Sequence, residues 1–229
     1  MTDLTKLAPC EVWTEFEAIT RVPRPSKKEE KIRDYLVGWA KEHGLEYRCD
    51  ATGNVVIRKP ATTGYEGRPT VILQSHMDMV CETAPDCTKD MACEGLDLFV
   101  DGDTIGARGT TLGGDDGIAV AYALAVLDAK DIPHPALEVV LTVCEEVGLL
   151  GASAMDFSDL EGRMLVNIDS EEEGVLTAGC AGGRRVECHL PIAREGGHRG
   201  ACGRALRHRD SQRPRQRHRS AGALPDPAV

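Results

Sequence analysis

Residues 70–78 read TVILQSHMD, a run that passes from apolar side chains to a histidine and an aspartate. Its continuous apolar part, Thr70–Leu73, predicts a short strand buried on both faces of a sheet. Two later β-rich runs, Leu137–Val143 and Met164–Ile168, also end at acidic residues. A predicted helix at 114–129 separates the first two of these strands, and further helices are predicted earlier in the chain. The alternation predicts an α/β domain with a largely parallel sheet.

The remaining elements follow from periodicity and from turn residues. Residues 9–20 have apolar side chains at helical spacing. The pattern S-x-x-E from Ser26 to Glu29 predicts a capping-box start for a helix that ends at Gly44. Residues 114–129 predict a buried helix. Paired strands and hairpins are predicted at Glu46–Cys49 with Val55–Arg58, and at Asp101-Gly102.

Polar residues stand where these elements meet. The five are His76, Asp115, Glu145, Glu146 and Asp169. Sites in open α/β sheets gather at the carboxyl ends of strands, so these side chains are expected to converge. Histidine and carboxylate ligands suit zinc, cobalt or manganese, and a hydrolytic two-metal site needs a bridging carboxylate and an open position for water.

Each of these groups also has an ordinary structural interpretation. His76 and Asp78 can belong to a surface turn, Asp115 can cap a helix, and Glu145-Glu146 can form a solvated acidic turn. The glycines between residues 109 and 117 suggest a phosphate loop, but the Lys and Ser/Thr of a P-loop are missing and acids stand in their place. Asp169 is the fourth such group. The occurrence of all four groups in this order along the chain indicates a metal site far more specifically than any one of them does.

Five motifs resemble those of bacterial Xaa-His dipeptidases, also called aminoacyl-histidine dipeptidases or peptidase D, within a superfamily that includes aminoacylases, carnosinases and tripeptidases. The resemblance covers roughly residues 5–192. The motifs are SHMDMV at 75–80, ARGTTLGGDDGI at 107–118, EEVG at 145–148, NIDSEEEG at 167–174 and CAGG at 180–183. The resemblance implies a zinc-peptidase-like fold, and two divalent metal ions, zinc or else cobalt or manganese. It also implies short peptide substrates, often of the Xaa-His type.

The resemblance also implies a role for each matching residue. His76 and Asp169 would bind the first metal ion, Glu146 the second, and Asp115 would bridge the two. Glu145 would be the general base, and Asp78 would orient His76. Asp116 stands where this branch often has asparagine, which adds a negative charge near the metals.

The resemblance fades after residue 192. Family members are about twice as long, with a lid and dimerisation domain followed by a C-terminal part that supplies another metal-binding histidine. We therefore expect residues 1–192 to be the N-terminal part of the catalytic domain, with the lid and C-terminal part absent and activity impaired. Full-length relatives are expected to be homodimers through the lid.

Residues 193–229 differ in composition from the rest of the chain. They contain nine arginines, no lysine and three acidic residues. We interpret this tail as disordered or out of frame, and we do not count His198, His208 or His218 as ligands. A Gly-Gly-His element at 196–198 resembles a lid-domain motif but arrives too soon.

The net charge of −10 argues against binding to nucleic acid or to membrane surfaces. The absence of a signal peptide and the nine scattered cysteines predict a cytoplasmic protein with reduced thiols. Two other functions remain open at this point. One is an N-acyl amino acid deacylase of the same superfamily, and the other is a non-catalytic metal-binding fragment.

Overall fold

The computed structural model describes residues 3–170 and 174–179. The predicted boundary at residue 192, the CAGG element and the tail histidines lie outside these residues. The chain divides into two compact units, Met1–Val175 and Leu176–Val229, and every element below belongs to the first. Within the described residues, no helix has the length and apolar character needed to cross a bilayer.

Seven strands form two sheets in the part of the chain that the structure describes. The strands are β1 (Glu46–Cys49), β2 (Val55–Lys59), β3 (Val71–His76), β4 (Leu98–Asp101), β5 (Thr104–Ala107), β6 (Leu137–Thr142) and β7 (Met164–Asn167). The main sheet has the order β1-β2-β6-β3-β7, and β4 and β5 form a separate hairpin. The hairpin turns at Gly102, whose φ is +62°, as the Asp101-Gly102 pair predicts.

Four of the five strands in the main sheet run in the same direction. β3 is parallel to both β6 and β7, whereas β2 is antiparallel to β6 and to β1. The prediction of a largely parallel sheet is therefore confirmed, with β2 as the reversed strand. Val71 is level with Leu137 on one side and with Met164 on the other. This register brings the carboxyl ends of β3, β6 and β7 to one edge of the sheet.

The helices are α1 (Cys10–Thr20), α2 (Glu30–Glu42), α3 (Gly114–Asp128) and α4 (Leu150–Ala154). The first three follow the predicted periodicity. They pack with β2, β3 and β6 around the main core, whose fully buried members include Ile19, Leu36, Leu124 and Leu141. α4 is not predicted, because five residues are too few to show a helical period.

The opposite face of the main sheet is covered by fewer buried side chains among the described residues. Its buried cluster consists of Val56, Ile72, Val140, Met155 and Leu160. All six residues of β6 are buried, whereas all four residues of β7 are exposed, with Leu165 at 58%. The prediction that Thr70–Leu73 is buried on both faces is wrong in part, because Val71 and Leu73 are only half-buried beside this open edge.

The predicted capping box at Ser26 is wrong. α2 begins at Glu30, and its first residue follows Glu29, not Ser26. The Ser26 hydroxyl donates to Asp78 Oδ2 at 2.7 Å, and Glu29 Oε1 accepts from the backbone N–H groups of Lys27 and Cys144 at 2.9 and 3.0 Å. Tertiary partners have therefore replaced the local capping bonds that the pattern S-x-x-E predicts.

Gly151 tests how tightly the segment after β6 is packed. A Cβ atom at residue 151 would lie 2.3 Å from the Val143 carbonyl oxygen and 2.6 Å from Asn54 Oδ1. We expect Gly151→Ala to lower the free energy of unfolding by about 1–3 kcal/mol because backbone must shift. Gly38→Ala in α2 is the control: it has open space and should raise stability by about 0.5–1 kcal/mol. Urea unfolding measures both, and an equal effect would contradict the packing.

Candidate metal centre

The common edge of the sheet gathers the predicted site residues. His76 is the last residue of β3, Glu145 and Glu146 follow β6, Asp169 follows β7, and Asp115 lies at the start of α3. Two groups have potential ligand atoms within 4.8 Å of one another. The first is His76, Asp115 and Glu146, and the second is His76, Glu145 and Asp169. All five predicted ligand or base residues are thus brought together around one imidazole.

The imidazole of His76 is almost completely buried, with 1% of the side chain exposed. Its Nδ1 donates to the carbonyl oxygen of Asp78 at 3.1 Å. Its Nε2 lies 2.9 Å from Asp115 Oδ1 and 3.8 Å from Glu145 Oε2. Burial on its own disfavours the imidazolium, but the contacts with Asp78 and Asp115 outweigh it and raise the pKa of His76 to about 9.

Asp78 is a buried carboxylate that holds two segments together. Its Oδ1 accepts from the backbone N–H of Glu145 at 3.0 Å and lies 3.4 Å from His76 Nδ1. Its Oδ2 accepts from the Ser26 hydroxyl and, at 3.4 Å, from the backbone N–H of Glu146. Burial alone would raise the pKa of Asp78, but these donors lower it, so the group stays ionised. Asp78 therefore couples the His76 ring to the loop that carries both glutamates.

The first turn of α3 is irregular. Gly113 has a left-handed backbone (φ +65°), and Asp115 and Asp116 have non-helical dihedral angles before the regular helix continues from Gly117. The side chain of Asp115 is 67% exposed and faces His76 Nε2, whereas Asp116 is buried and its Oδ2 accepts from the His76 backbone N–H at 3.2 Å. Burial raises the pKa of Asp116 to about 7.

The glutamates sit among like charges. Burial first, and then neighbouring carboxylates, raise the pKa values of Glu145 and Glu146 above their ordinary range. For Glu145 the main neighbouring carboxylates are Asp169 and Glu146, and for Glu146 the carboxylate with the largest effect is that of Asp115. A divalent cation would relieve this repulsion, and a histidine with surrounding carboxylates is a donor set that zinc, cobalt and manganese accept. The residues present therefore fit a metal.

Asp169 lies on the side of the main sheet away from β1. It follows β7, whose residues are exposed, and its backbone N–H donates to Asn167 Oδ1 at 3.0 Å. The Asn167 amide in turn donates to Gln74 Oε1 at 2.5 Å. This short chain of bonds connects Asp169 to β3, the strand that carries His76.

Two residues support the site in roles that no sequence motif predicts. The Asn54 side chain accepts from the Val143 N–H at 3.1 Å and donates to the Gly151 carbonyl at 3.0 Å. Glu29 holds the N–H of Cys144. Asn54 thus fixes the backbone on both sides of Glu145, and Glu29 fixes it just before Glu145. Asn54 belongs to no motif, and the S-x-x-E pattern that contains Glu29 predicts only a helix cap. The extended conformation around Ser26 was predictable from the sequence, because Pro23 and Pro25 favour an extended segment over a helix start.

The metal-free protein should lose stability as pH rises from about 6.5 to about 9. A raised folded-state pKa means that charged His76 stabilises the fold fully below its unfolded pKa and that this contribution is lost as pH passes about 9. We expect a loss on the order of 2 kcal/mol. Urea unfolding with a chelator present measures it. His76→Gln should flatten the profile over that window, and a profile as steep as that of the unsubstituted chain would contradict the assignment.

Comparison with known proteins places this geometry in context. The chain is 45% identical over 195 residues to the cytosol non-specific dipeptidase of Escherichia coli strain K12, a match that covers 85% of this chain and 40% of that protein. No protein-family model matches the sequence. The chain therefore spans about two fifths of this curated relative.

Solved structures agree. The aminoacylhistidine dipeptidase of Vibrio alginolyticus matches with a TM-score of 0.74 and 44% identity, over 76% of this chain and 35% of that one. A tripeptidase of Staphylococcus aureus matches with a TM-score of 0.60 and 26% identity, over 71% and 43% of the two chains. The resemblance inferred from the motifs is thereby confirmed: over most of its length this chain is similar, in sequence and fold, to a part of the aminoacyl-histidine dipeptidases.

Proposed function

We propose that this chain carries the metal-binding part of a metal-dependent dipeptidase that hydrolyses short peptides of the Xaa-His type. The observation that supports it best is the pair of ligand groups that share His76, each with two carboxylates within 4.8 Å. In this proposal His76 and Asp169 hold one divalent ion, Glu146 holds the second, and Asp115 bridges them. Zinc is our first choice, with cobalt or manganese as alternatives.

The chemistry divides between the ions and the side chains. Divalent ions at this site would lower the pKa of water towards 7 and polarise the peptide carbonyl. Glu145 takes the proton from the attacking water and later delivers it to the leaving amine. Its raised pKa and its position beside His76 suit a proton carrier. Asp78 keeps the Nδ1 proton of His76 in place, so that Nε2 is free to bind metal.

The dipeptidase proposal is favoured over a deacylase. Both the curated E. coli relative and the V. alginolyticus structure are named as dipeptidases, and each is more than 40% identical to this chain. The E. coli protein is named as cytosolic, which supports a cytoplasmic location for this chain. Assembly of the longer relatives into homodimers through a lid, and the division of this chain at residue 192, stay predictions.

We further propose that residues 1–229 alone are a weak enzyme. Support comes from β7, which carries Asp169 into the site while its four residues stay exposed. A ligand on such a strand is held less rigidly than His76 on β3, and a misplacement of about 1 Å costs about 100-fold in rate. This proposal predicts weakened metal binding and slow turnover.

Metal content is the first test of the proposed site. We expect the purified chain to bind zinc or manganese, measured by plasma mass spectrometry after dialysis, and His76→Gln to abolish that binding because both ligand groups include His76. Lys130→Gln, at an exposed position of a surface pair, is the matched control and should retain the metal. A His76→Gln protein with the full metal content would refute the site.

Hydrolysis is the second test. In the presence of the bound metal, we expect slow release of histidine from Ala-His, and Glu145→Gln should reduce it by about 100- to 10,000-fold because the proton carrier is lost. Metal content should be unchanged in this variant. Hydrolysis that survives the substitution undiminished would contradict this role for Glu145, and faster cleavage of N-acyl amino acids than of Ala-His would favour the deacylase instead.

A further inference from the structure

Arg24 is a deeply buried charged side chain near the site, and the proposed function does not use it. It lies between α1 and α2, in the sequence Pro23-Arg24-Pro25, and 2% of it is exposed. A buried guanidinium needs acceptors for its N–H groups, because an isolated charge in the interior is costly. Its partners therefore indicate what it is for.

Among the described residues, the acceptors of the guanidinium are all backbone carbonyls that flank the candidate metal centre, and Nε has no acceptor. Nη1 donates to the carbonyl oxygens of Met77 and Asp78 at 3.3 and 3.1 Å, and Nη2 donates to that of Gly113. Met77 and Asp78 follow His76 at the end of β3, and Gly113 precedes Asp115 at the start of α3. One rigid group thus joins the two segments that carry the shared imidazole and the exposed carboxylate.

The backbone of Arg24 adds to this connection. Its carbonyl accepts from the Met79 N–H at 3.0 Å, and Pro25 forms a parallel bridge with Met79. Arg24 therefore pairs with the segment after His76 through its main chain and reaches across to α3 through its side chain. Ser26, two residues on, holds Asp78 from the same extended segment.

Two glycines make room for the guanidinium. A Cβ atom at residue 113 or at residue 117 would lie 2.5 Å from Arg24 Nη2. Gly117 is in the regular part of α3, where alanine is the more favourable residue for a helix. A glycine at this position is therefore explained by the close approach of Arg24.

Electrostatics also favour a cation here. Burial lowers the pKa of Arg24 to about 10, and the carboxylates of Asp78 and Asp116 oppose that shift, so the guanidinium is charged at neutral pH. It brings a permanent positive charge to a region dominated by carboxylates. Lysine would keep the charge but not the planar fork that reaches three carbonyls.

We propose that Arg24 is a positioning residue of the metal centre: it fixes the distance between His76 and Asp115 by clamping the end of β3 to the start of α3. This proposal rests on the proposed metal site, but it also concerns the metal-free protein. A residue that acts through the ligands in this way, without touching the metal, typically changes metal affinity by about 10- to 100-fold.

The test combines metal affinity with amide exchange. Cobalt is titrated into the chelator-treated chain and followed by its visible absorption, and zinc is titrated in competition with a chromophoric chelator. We expect Arg24→Met to bind both ions about 10- to 100-fold more weakly and Arg24→Lys to recover part of the loss. Arg58→Met is the matched control, because the Arg58 guanidinium also has several partners, in its case carboxylates, but lies elsewhere in the fold. This variant should bind as the unsubstituted chain does.

Amide exchange separates this proposal from the metal site itself. The His76 N–H donates to Asp116, a bond from β3 to α3, so without metal its protection should fall in Arg24→Met and persist in Arg58→Met. If Arg24→Met does not fold, Gly117→Ala carries the test, since it displaces the guanidinium without removing it. Unchanged cobalt affinity or unchanged His76 protection overturns the proposal. If the unsubstituted chain binds no cobalt, the proposed function fails and the exchange result alone decides the role of Arg24.

Discussion

The contact between His76 and the carboxylates around it is the constraint on which the site depends. A single buried imidazole faces Asp115 at 2.9 Å, while Glu145 and Asp78 lie within 3.8 Å of its ring nitrogens. Bringing several like charges together opposes folding, and the raised pKa values of Glu145 and Glu146 express that cost. The folded chain tolerates this repulsion because the surrounding backbone is held by hydrogen bonds that do not involve a metal.

Three buried side chains make those hydrogen bonds. Arg24 clamps β3 to α3, Asp78 connects His76 to the N–H groups of Glu145 and Glu146, and Asn54 closes the segment after β6. Each is a buried polar side chain with several hydrogen-bond partners, although Arg24 Nε has none among the described residues. Buried hydrogen-bonded networks of this kind add rigidity. The ligands themselves can then stay partly exposed, as Asp115 does, and remain available for a metal and a substrate.

The sequence was most informative where a pattern repeats within a short window. Apolar runs that lead into polar or acidic residues predicted β3, β6 and β7, and the parallel arrangement was inferred from the alternation of strands and helices along the chain. The ligands were found for the same reason: each stands at the end of such a run. Periodicity could not predict α4, which is too short, nor the reversed direction of β2 within the sheet.

The failures have a common physical cause. Ser26 and Glu29 match a local capping pattern, yet both side chains find partners more than 50 residues away. A window of four residues cannot contain that competition. Arg24 and Asn54 are invisible for the same reason, since a lone arginine between prolines and a lone asparagine in a turn have no pattern of their own. Their importance appears only when the acceptors around them are known.

The Asn54 contacts have a consequence for how mutations in this chain are interpreted. Asn54 lies in the turn between β1 and β2, about ninety residues before Glu145 in the chain, and β1 is the edge strand of the sheet opposite β7. A survey of substitutions scored by catalysis alone would mark this turn as part of the active site, and one scored by abundance would mark it as part of the core. Both effects would arise from the loss of the same hydrogen bonds. Asn54 is therefore a folding position and a functional position at once.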